Sequence, residues 1–235
     1  MTKDSPRVSC IIPAFNEAVR IGCVLEAVAG HPDVAEVIVV DDASTDATAE
    51  VVAAIAATTP GLRLIRQPQN RGKTAALAAG IEAAGAPLLL LLDADLIGLT
   101  PAHIAALIAP VRSGRADISI SLRDNAPRLW RAIGLDYISG ERVLARSLLD
   151  QPLEVLLRLP KFGFEVYLNT LCIGRRCRIA VVDWPGVKSP FKQSKYGLLA
   201  GLRADARMMG DIFRTVSPAR IVVQILAMRA MRVQP

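Results

Sequence analysis

The sequence predicts an α/β domain: a mostly parallel, twisted sheet with helices on both sides. Three observations predict it. Short β-rich runs alternate with helix-length segments throughout the first half of the chain, the spacing of successive βα units. Five consecutive leucines, Leu88–Leu92, suit a strand buried on both faces rather than one half open to water. Hydrophobic residues make up 52% of the 235 positions and aromatics only 4%, so the core is sizeable and aliphatic, as helix-on-sheet packing requires.

Taken in order, Val8–Ile12 reads as the first strand and Glu17–Ala29 as the helix after it. Glu36–Val40 is the second strand, followed by a helix from Asp46 to Ala57 with Asp46 as N-cap and Glu50 nearby. Leu62–Gln67 is the third strand, with a helix over Lys73–Ala84. Pro87–Leu92 is the fourth. Thr100 and Pro101 supply an N-cap and a first-turn proline for a helix ending near Ser113 and Gly114, and Asp117–Leu122 is the fifth strand. After residue 125 the pattern is less regular: Glu141–Leu149, Phe164–Ile173 and Gly197–Ile212 read as helices and Arg178–Val182 as a strand. With no internal repeat and no low-complexity linker, residues 1–235 are expected to form one domain, a first half over 1–125 and a second over 126–235 laid against the sheet.

The formal charge is +6, which favours anionic partners such as nucleotides, phosphates, acidic lipids or nucleic acid. Nucleic acid is the least supported, because no basic patch is interleaved with aromatics. The longest apolar run, around Leu88–Leu92, is far short of the roughly 20 residues that span a bilayer. Met1–Arg7 is polar and runs directly into a strand, so no leader is expected. Four cysteines, at 10, 23, 172 and 177, form no CxxC pair. Cys10 and Cys23 fall in apolar periodic segments and are expected to be buried thiols, with a reducing, cytoplasmic setting as the consequence.

In open parallel sheets, ligands bind outside the carboxyl ends of the strands. Asp41 and Asp42 follow the second strand, Asp93 and Asp95 the fourth and Arg123 the fifth, so polar groups gather at one edge. Asp93-Ala94-Asp95 puts two carboxylates on one side of a turn. Such a pair can grip a hard divalent cation, Mg²⁺ or Mn²⁺, which bridges two phosphates and neutralises charge on a departing diphosphate. Arg71 and Lys73, at a helix start, suit phosphate oxygens.

Ile11-Ile12-Pro13-Ala14-Phe15-Asn16-Glu17, Val39-Val40-Asp41-Asp42-Ala43-Ser44-Thr45-Asp46, Asn70-Arg71-Gly72-Lys73 and Asp93-Ala94-Asp95 occur in an order and spacing that resembles family-2 glycosyltransferases of the GT-A fold, including polyprenyl-phosphate glycosyltransferases such as dolichol-phosphate mannose synthase. The resemblance is strongest over residues 7–125. It implies that Pro13, Phe15 and Glu17 line a nucleoside pocket, that Asp41 contacts base or ribose, and that Arg71 and Lys73 approach base or phosphates. Asp93 and Arg123 join the donor site, and Asp93 and Asp95 hold the metal. The implied activity is metal-dependent transfer of a sugar from a UDP- or GDP-sugar to an acceptor, a polyprenyl phosphate or another lipid.

Ser139-Gly140-Glu141-Arg142 resembles the SGxR segment that these enzymes place near the acceptor. Glu165 opens a helix where relatives carry a catalytic acid and is the first candidate for a general base, with Asp136 second. Transfer to an ionised phosphate needs no base. The basic run Lys188–Lys195 resembles the lid of this family. The stretch Gly197–Val233, rich in arginine, could lie on an anionic membrane surface at the inner face of the cell membrane.

Two departures stand out. Leu96-Ile97 occupies the place of the Leu-Gln that follows the DAD motif in relatives, and no late histidine is present. His31 reads as loop and His103 as an exposed helix position. A nucleotidyltransferase is disfavoured, because Pro13–Glu17 replaces the glycine-rich loop such enzymes carry after the first strand. A catalytically idle module that binds nucleotide-sugar or anchors a partner at the membrane is the alternative.

Overall fold

A computed structural model describes residues 7–126, 128–149, 163–190 and 217–234. The elements are β1 (Val8–Ala14), α1 (Ile21–Val28), β2 (Val34–Asp41), α2 (Thr48–Ala56), β3 (Leu62–Arg66), α3 (Lys73–Ala83), β4 (Leu88–Leu91), α4 (Pro101–Arg112), β5 (Ile118–Arg123), α5 (Arg128–Ile133), β6 (Arg142–Ala145), α6 (Gly163–Gly174), β7 (Ile179–Trp184), α7 (Pro218–Ala230) and β8 (Arg232–Val233). They build one sheet of eight strands in the order β3-β2-β1-β4-β6-β5-β7-β8. Every pairing is parallel except the two made by β6, which runs against both β4 and β5.

Both faces of the sheet are covered, and alternation along each strand sorts the side chains. Ile11, Ile38, Leu89 and Leu91 face one core with α3, α6 and α7. Cys10, Ile12, Val39, Leu88, Leu90 and Leu92 face the other, with α1, α2 and α4. The leucine run is therefore buried on both sides, as its composition predicts. Close approach of α3 to β1 depends on Gly80, where a Cβ would lie 2.4 Å from Ile11 Cγ2.

The start of α4 follows the predicted device, whereas Ala47 rather than Asp46 is the N-cap of α2. Thr100 caps α4 in a capping box with His103, and Pro101 fills the first turn. Asp46 lies two residues before α2; its carboxylate accepts from the Thr48 amide at 2.9 Å and also from the Thr48 hydroxyl.

Three expectations are corrected. Glu141–Leu149 is not a helix: Arg142–Ala145 is a strand and only Arg146–Leu149 forms a 3₁₀ turn. The gap between β4 and β5 takes an extended segment there, with Val143 in one core and Leu144 in the other, so tertiary pairing overrides local periodicity. Cys23 is exposed, while Cys10 is buried, because the apolar stripe of α1 runs through Ile21, Val24, Leu25 and Val28. His103 is half-buried rather than exposed; its ring tilts against Trp184 and its Nε2 bonds Pro185 O at 3.1 Å.

The expected helix Gly197–Ile212 and residues 191–195 of the basic run lie outside the described residues, as do Arg203, Arg207 and Arg214. No helix among the described residues is long and apolar enough to cross a membrane.

Candidate active site

The order of strands reverses between β1 and β4, and at that reversal the carboxyl edge of a parallel sheet opens into a crevice. A cleft of about 270 Å³ occupies this position, lined by Pro13, Phe15, Glu17, Asp42, Lys73, Asp93 and Asp95 among others. Phe15 is 44% exposed, an aromatic face left open at the mouth.

Backbone-directed bonds hold the loops around the cleft. Asn16 takes a left-handed conformation (φ 56°), which asparagine tolerates better than most residues, and Ala43 opposite does the same (φ 59°). The Asn16 amide donates to Ser44 Oγ at 2.9 Å, and its side-chain oxygen accepts from the Thr45 amide at 2.8 Å. The loops after β1 and β2 are thereby joined. Asp42 reaches across to the start of α3 and accepts from the amides of Arg71 at 2.8 Å and Gly72 at 2.7 Å. Gly72 sits at φ 88°, a region costly for a residue with a Cβ. Asp42 is thus committed to orienting the loop. Asp41 is fully buried. One of its oxygens accepts from the Ser44 amide at 3.3 Å; the other has no hydrogen-bond partner among the described residues and lies 3.8 Å from Arg66 Nε.

Lys73 projects from the first turn of α3 between two carboxylates. Its Nζ lies 2.6 Å from Asp93 Oδ1 and 3.1 Å from Glu165 Oε1. Burial alone would lower the lysine pKa, but the charges of Asp93 and Glu165 outweigh it and hold it far above the ordinary value. Gly140 closes the back of this group: a Cβ there would stand 2.7 Å from Lys73 Nζ and 2.8 Å from Asp93 Oδ1. A residue with a Cβ at 140 would have to displace the end of the lysine or aspartate side chain.

A second cluster lies beside the first. The Arg123 guanidinium sits 3.3 Å from Glu141 Oε1 and 3.5 Å from Asp136 Oδ2, and it also bonds the Ser189 hydroxyl. Glu141 and Asp136 are both fully buried. Desolvation raises the pKa of each despite the neighbouring Arg123. Ser121 and Ser139 each donate to Glu141 Oε2 at 2.8 Å. Next to it Arg142, also fully buried, donates to Ser139 O (2.8 Å), Asn169 Oδ1 (2.7 Å) and Tyr137 O (3.2 Å).

The predicted residues therefore divide into groups. Pro13, Phe15, Glu17, Lys73, Asp93 and Asp95 share the cleft wall. Asp41 lies buried at the end of β2. The Arg71 side chain is exposed and does not line the cleft, while its amide is held by Asp42. Arg123 and Asp136 belong to the buried cluster, and Glu165 is 4% exposed, behind Lys73. Sequence reasoning names Glu141 only as part of the Ser139–Arg142 segment and misses its role in the buried cluster: a helix reading over 141–149 hides a carboxylate whose burial the strand between β4 and β5 creates.

Among the described residues no three His, Cys, Asp or Glu side chains cluster as a metal site. Asp93 and Asp95 offer oxygen ligands only, a set that fits Mg²⁺ or Mn²⁺ when substrate phosphates and water complete the shell. Both histidines are engaged elsewhere, His31 through Nε2 with Pro101 O at 3.2 Å.

The profile of glycosyl transferase family 2 matches residues 9–171, a span that includes every residue of the cleft. The chain belongs to glycosyl transferase family 2. It is 39% identical over 94 residues to a dolichyl-phosphate β-glucosyltransferase of Trichomonas vaginalis, covering 36% of this chain and 28% of that protein. It is 32% identical over 126 residues to a dodecaprenyl-phosphate galacturonate synthase of Rhizobium johnstonii, covering 52% and 37%. The aligned part thus spans about a third of these curated relatives. Glucosyl-3-phosphoglycerate synthase from Mycobacterium tuberculosis, crystallised with Mn²⁺, UDP-glucose and phosphoglyceric acid, superimposes with a TM-score of 0.68 at 23% identity, covering 97% of this chain and 81% of that one. At that identity the likeness concerns the fold, and this family member has the GT-A fold.

Proposed function

We propose that the chain transfers a sugar from a nucleoside diphosphate sugar, a UDP- or GDP-sugar, to an acceptor that arrives already ionised, a polyprenyl phosphate or a related lipid phosphate. The observation that carries the reading is the cleft at the β1/β4 reversal, in which Asp93 and Asp95 share a wall with Pro13, Phe15, Glu17 and Lys73. Pro13, Phe15 and Glu17 hold the nucleoside, with Phe15 offering a stacking face. Asp41, with a buried acceptor oxygen left over, serves base or ribose. Arg71, Lys73 and Arg123 supply positive charge to the phosphates. Asp93 and Asp95 hold Mg²⁺ or Mn²⁺, which supplies Lewis-acid stabilisation of the departing diphosphate.

The position of the acids supports this acceptor class. A general base must reach the proton it removes. Glu165 is buried against Lys73, and Asp136 is buried against Arg123. Among the described residues these two candidates are each occupied by a cation, an arrangement better suited to a phosphate oxygen than to a neutral hydroxyl. With a hydroxyl acceptor, Glu165 would be the base. The relatives named for dolichyl and dodecaprenyl phosphates support the same class.

Access to a lipid is supported by α7. Its inner side packs Ile221, Ile225 and Met228 into the core, while Val222, Val223 and Leu226 are exposed and Arg220, Arg229 and Arg232 flank them at the surface. An apolar face edged with arginine suits peripheral contact with an anionic bilayer, on the cytoplasmic side.

Calorimetry of UDP, GDP and their sugars, with and without Mn²⁺, tests the donor site. Metal-dependent binding of one nucleotide that Asp95→Ala removes is the expected result. A folded protein that binds none of them would leave the module that anchors a partner, and slow hydrolysis of donor without acceptor would separate an enzyme from an idle module that binds nucleotide-sugar.

A further inference from the structure

The contact between Lys73 and Asp93 involves the very carboxylate expected to hold the metal. The ammonium lies 2.6 Å from Asp93 Oδ1, closer than it lies to Glu165. It is fixed from three directions. Lys73 begins α3, whose entry is clamped by Asp42 on the amides of Arg71 and Gly72; Glu165 backs it from α6; and Gly140 abuts both Nζ and the Asp93 carboxylate, so that a Cβ there would have to push one of them aside. The lysine side chain is still 39% exposed, so it is open to the cleft and to an incoming anion.

We propose that Lys73 is a resident cation on Asp93, which makes entry of the divalent ion conditional on the nucleotide. This rests on the donor reading of the cleft. Without nucleotide, a divalent ion must displace an ammonium already in contact with Asp93 and bear its repulsion at short range. A diphosphate changes both terms: it brings oxygens for the metal, and it offers Lys73 an anionic partner in place of Asp93. Metal and donor then bind as a pair, and free metal ions bind weakly. Glu165 acts through Lys73 as a positioning residue, holding the ammonium at the back of the cleft when it leaves Asp93.

Mn²⁺ binding followed by electron paramagnetic resonance, with and without UDP, tests this on the intact chain. For the wild type, weak binding of Mn²⁺ alone and much tighter binding with UDP are expected. Lys73→Met is expected to raise nucleotide-free Mn²⁺ affinity by about tenfold or more and to shrink the gain that UDP provides. Lys73→Gln carries the same expectation should the methionine variant fold poorly. The double variant Lys73→Met/Glu165→Gln keeps the local charge balance and is expected to retain the increase. An increase confined to the single variant would assign the effect to an unpaired Glu165 and overturn the proposal, as would unchanged Mn²⁺ affinity in both. Mn²⁺ that binds the wild type neither alone nor with UDP would remove the donor reading itself.

Discussion

The two halves of the site are held together by different physics. Around the donor cleft, side chains bond to backbone: Asp42 to the amides of Arg71 and Gly72, Asn16 to Thr45, Asp46 to Thr48. Each device spans a loop junction and uses a residue type suited to it. Around Arg123 and Arg142 the bonds run between side chains, or from buried arginine to carbonyls, and join β5, β6, α6 and the segment between α5 and β6. The first arrangement leaves its charged groups facing a cleft. The second buries them, at a desolvation cost that pairing offsets only in part: Arg123 Nε and Glu141 Oε1 have no hydrogen-bond partner among the described residues. Damage to the first half should therefore appear in ligand binding, and damage to the second in stability.

The largest effect is expected at Arg142. Its removal strands two acceptors, Ser139 O and Asn169 Oδ1, while Tyr137 O loses one of two donors and keeps Asn169 Nδ2 at 2.9 Å. Arg142→Ala also opens a void in a fully buried position, and together these should cost about 3 kcal/mol or more of unfolding free energy. Urea denaturation measures it. A loss below about 1 kcal/mol would mean that this half is not held by its buried polar bonds, and the contrast between the halves would collapse.

Gly140→Ala probes the seam between them. The residue belongs to the second half by sequence but abuts Asp93 and Lys73 of the first. A methyl group there must push the carboxylate or the ammonium aside, and displacements on the order of 1 Å can reduce catalysis about 10²-fold. Transfer activity and metal-dependent nucleotide binding should both fall while the melting temperature changes little. Intact binding with a lowered melting temperature would show the strain relaxing into the sheet rather than into the cleft.

The same contrast explains what could be read in the chain before folding. Backbone-directed devices have local signatures. Asp41–Asp42, Arg71–Lys73 and the Asp93–Asp95 pair stand in motifs a few residues long, and the alternation of strands and helices puts them at one edge, but the bonds of Asn16 to Thr45 and of Asp42 to Arg71 and Gly72, 29 or 30 positions apart, were not legible. The second half offers fewer, the Ser139–Arg142 segment and Glu165. Glu141–Leu149 has a helical period, and nothing nearby in sequence says that β6 must fill the space between β4 and β5. Once it does, Glu141 turns inward to Arg123, Ser121 and Ser139. Cys23 and His103 misled for a related reason: exposure depends on which stripe of a helix the sheet selects, and a periodic segment offers more than one. Glu165 was legible as the first acid of its helix, but its contact with Lys73, 92 positions earlier, was not.

The smallest effect, and the most discriminating, concerns Glu141. Burial raises its pKa, with Arg123 and the two serines only partly reversing the shift. In the unfolded chain the carboxyl ionises near the ordinary value of about 4.3, so above that pH the folded state holds the proton more tightly than the unfolded one. The stabilisation from this group is complete below the unfolded pKa and is lost as pH rises through the folded one. Glu141→Gln keeps an oxygen for Ser121 and Ser139 but cannot ionise. The difference in unfolding free energy between wild type and variant should therefore move in the variant's favour as pH rises from the acid side of that window, read from denaturation curves at a series of pH values. Asp136 is shifted in the same direction and remains in the variant, so part of the wild-type slope persists. A difference that moves toward the wild type with rising pH would mean that the Arg123 pairing outweighs desolvation, and that the buried half is held by its ion pair rather than in spite of it.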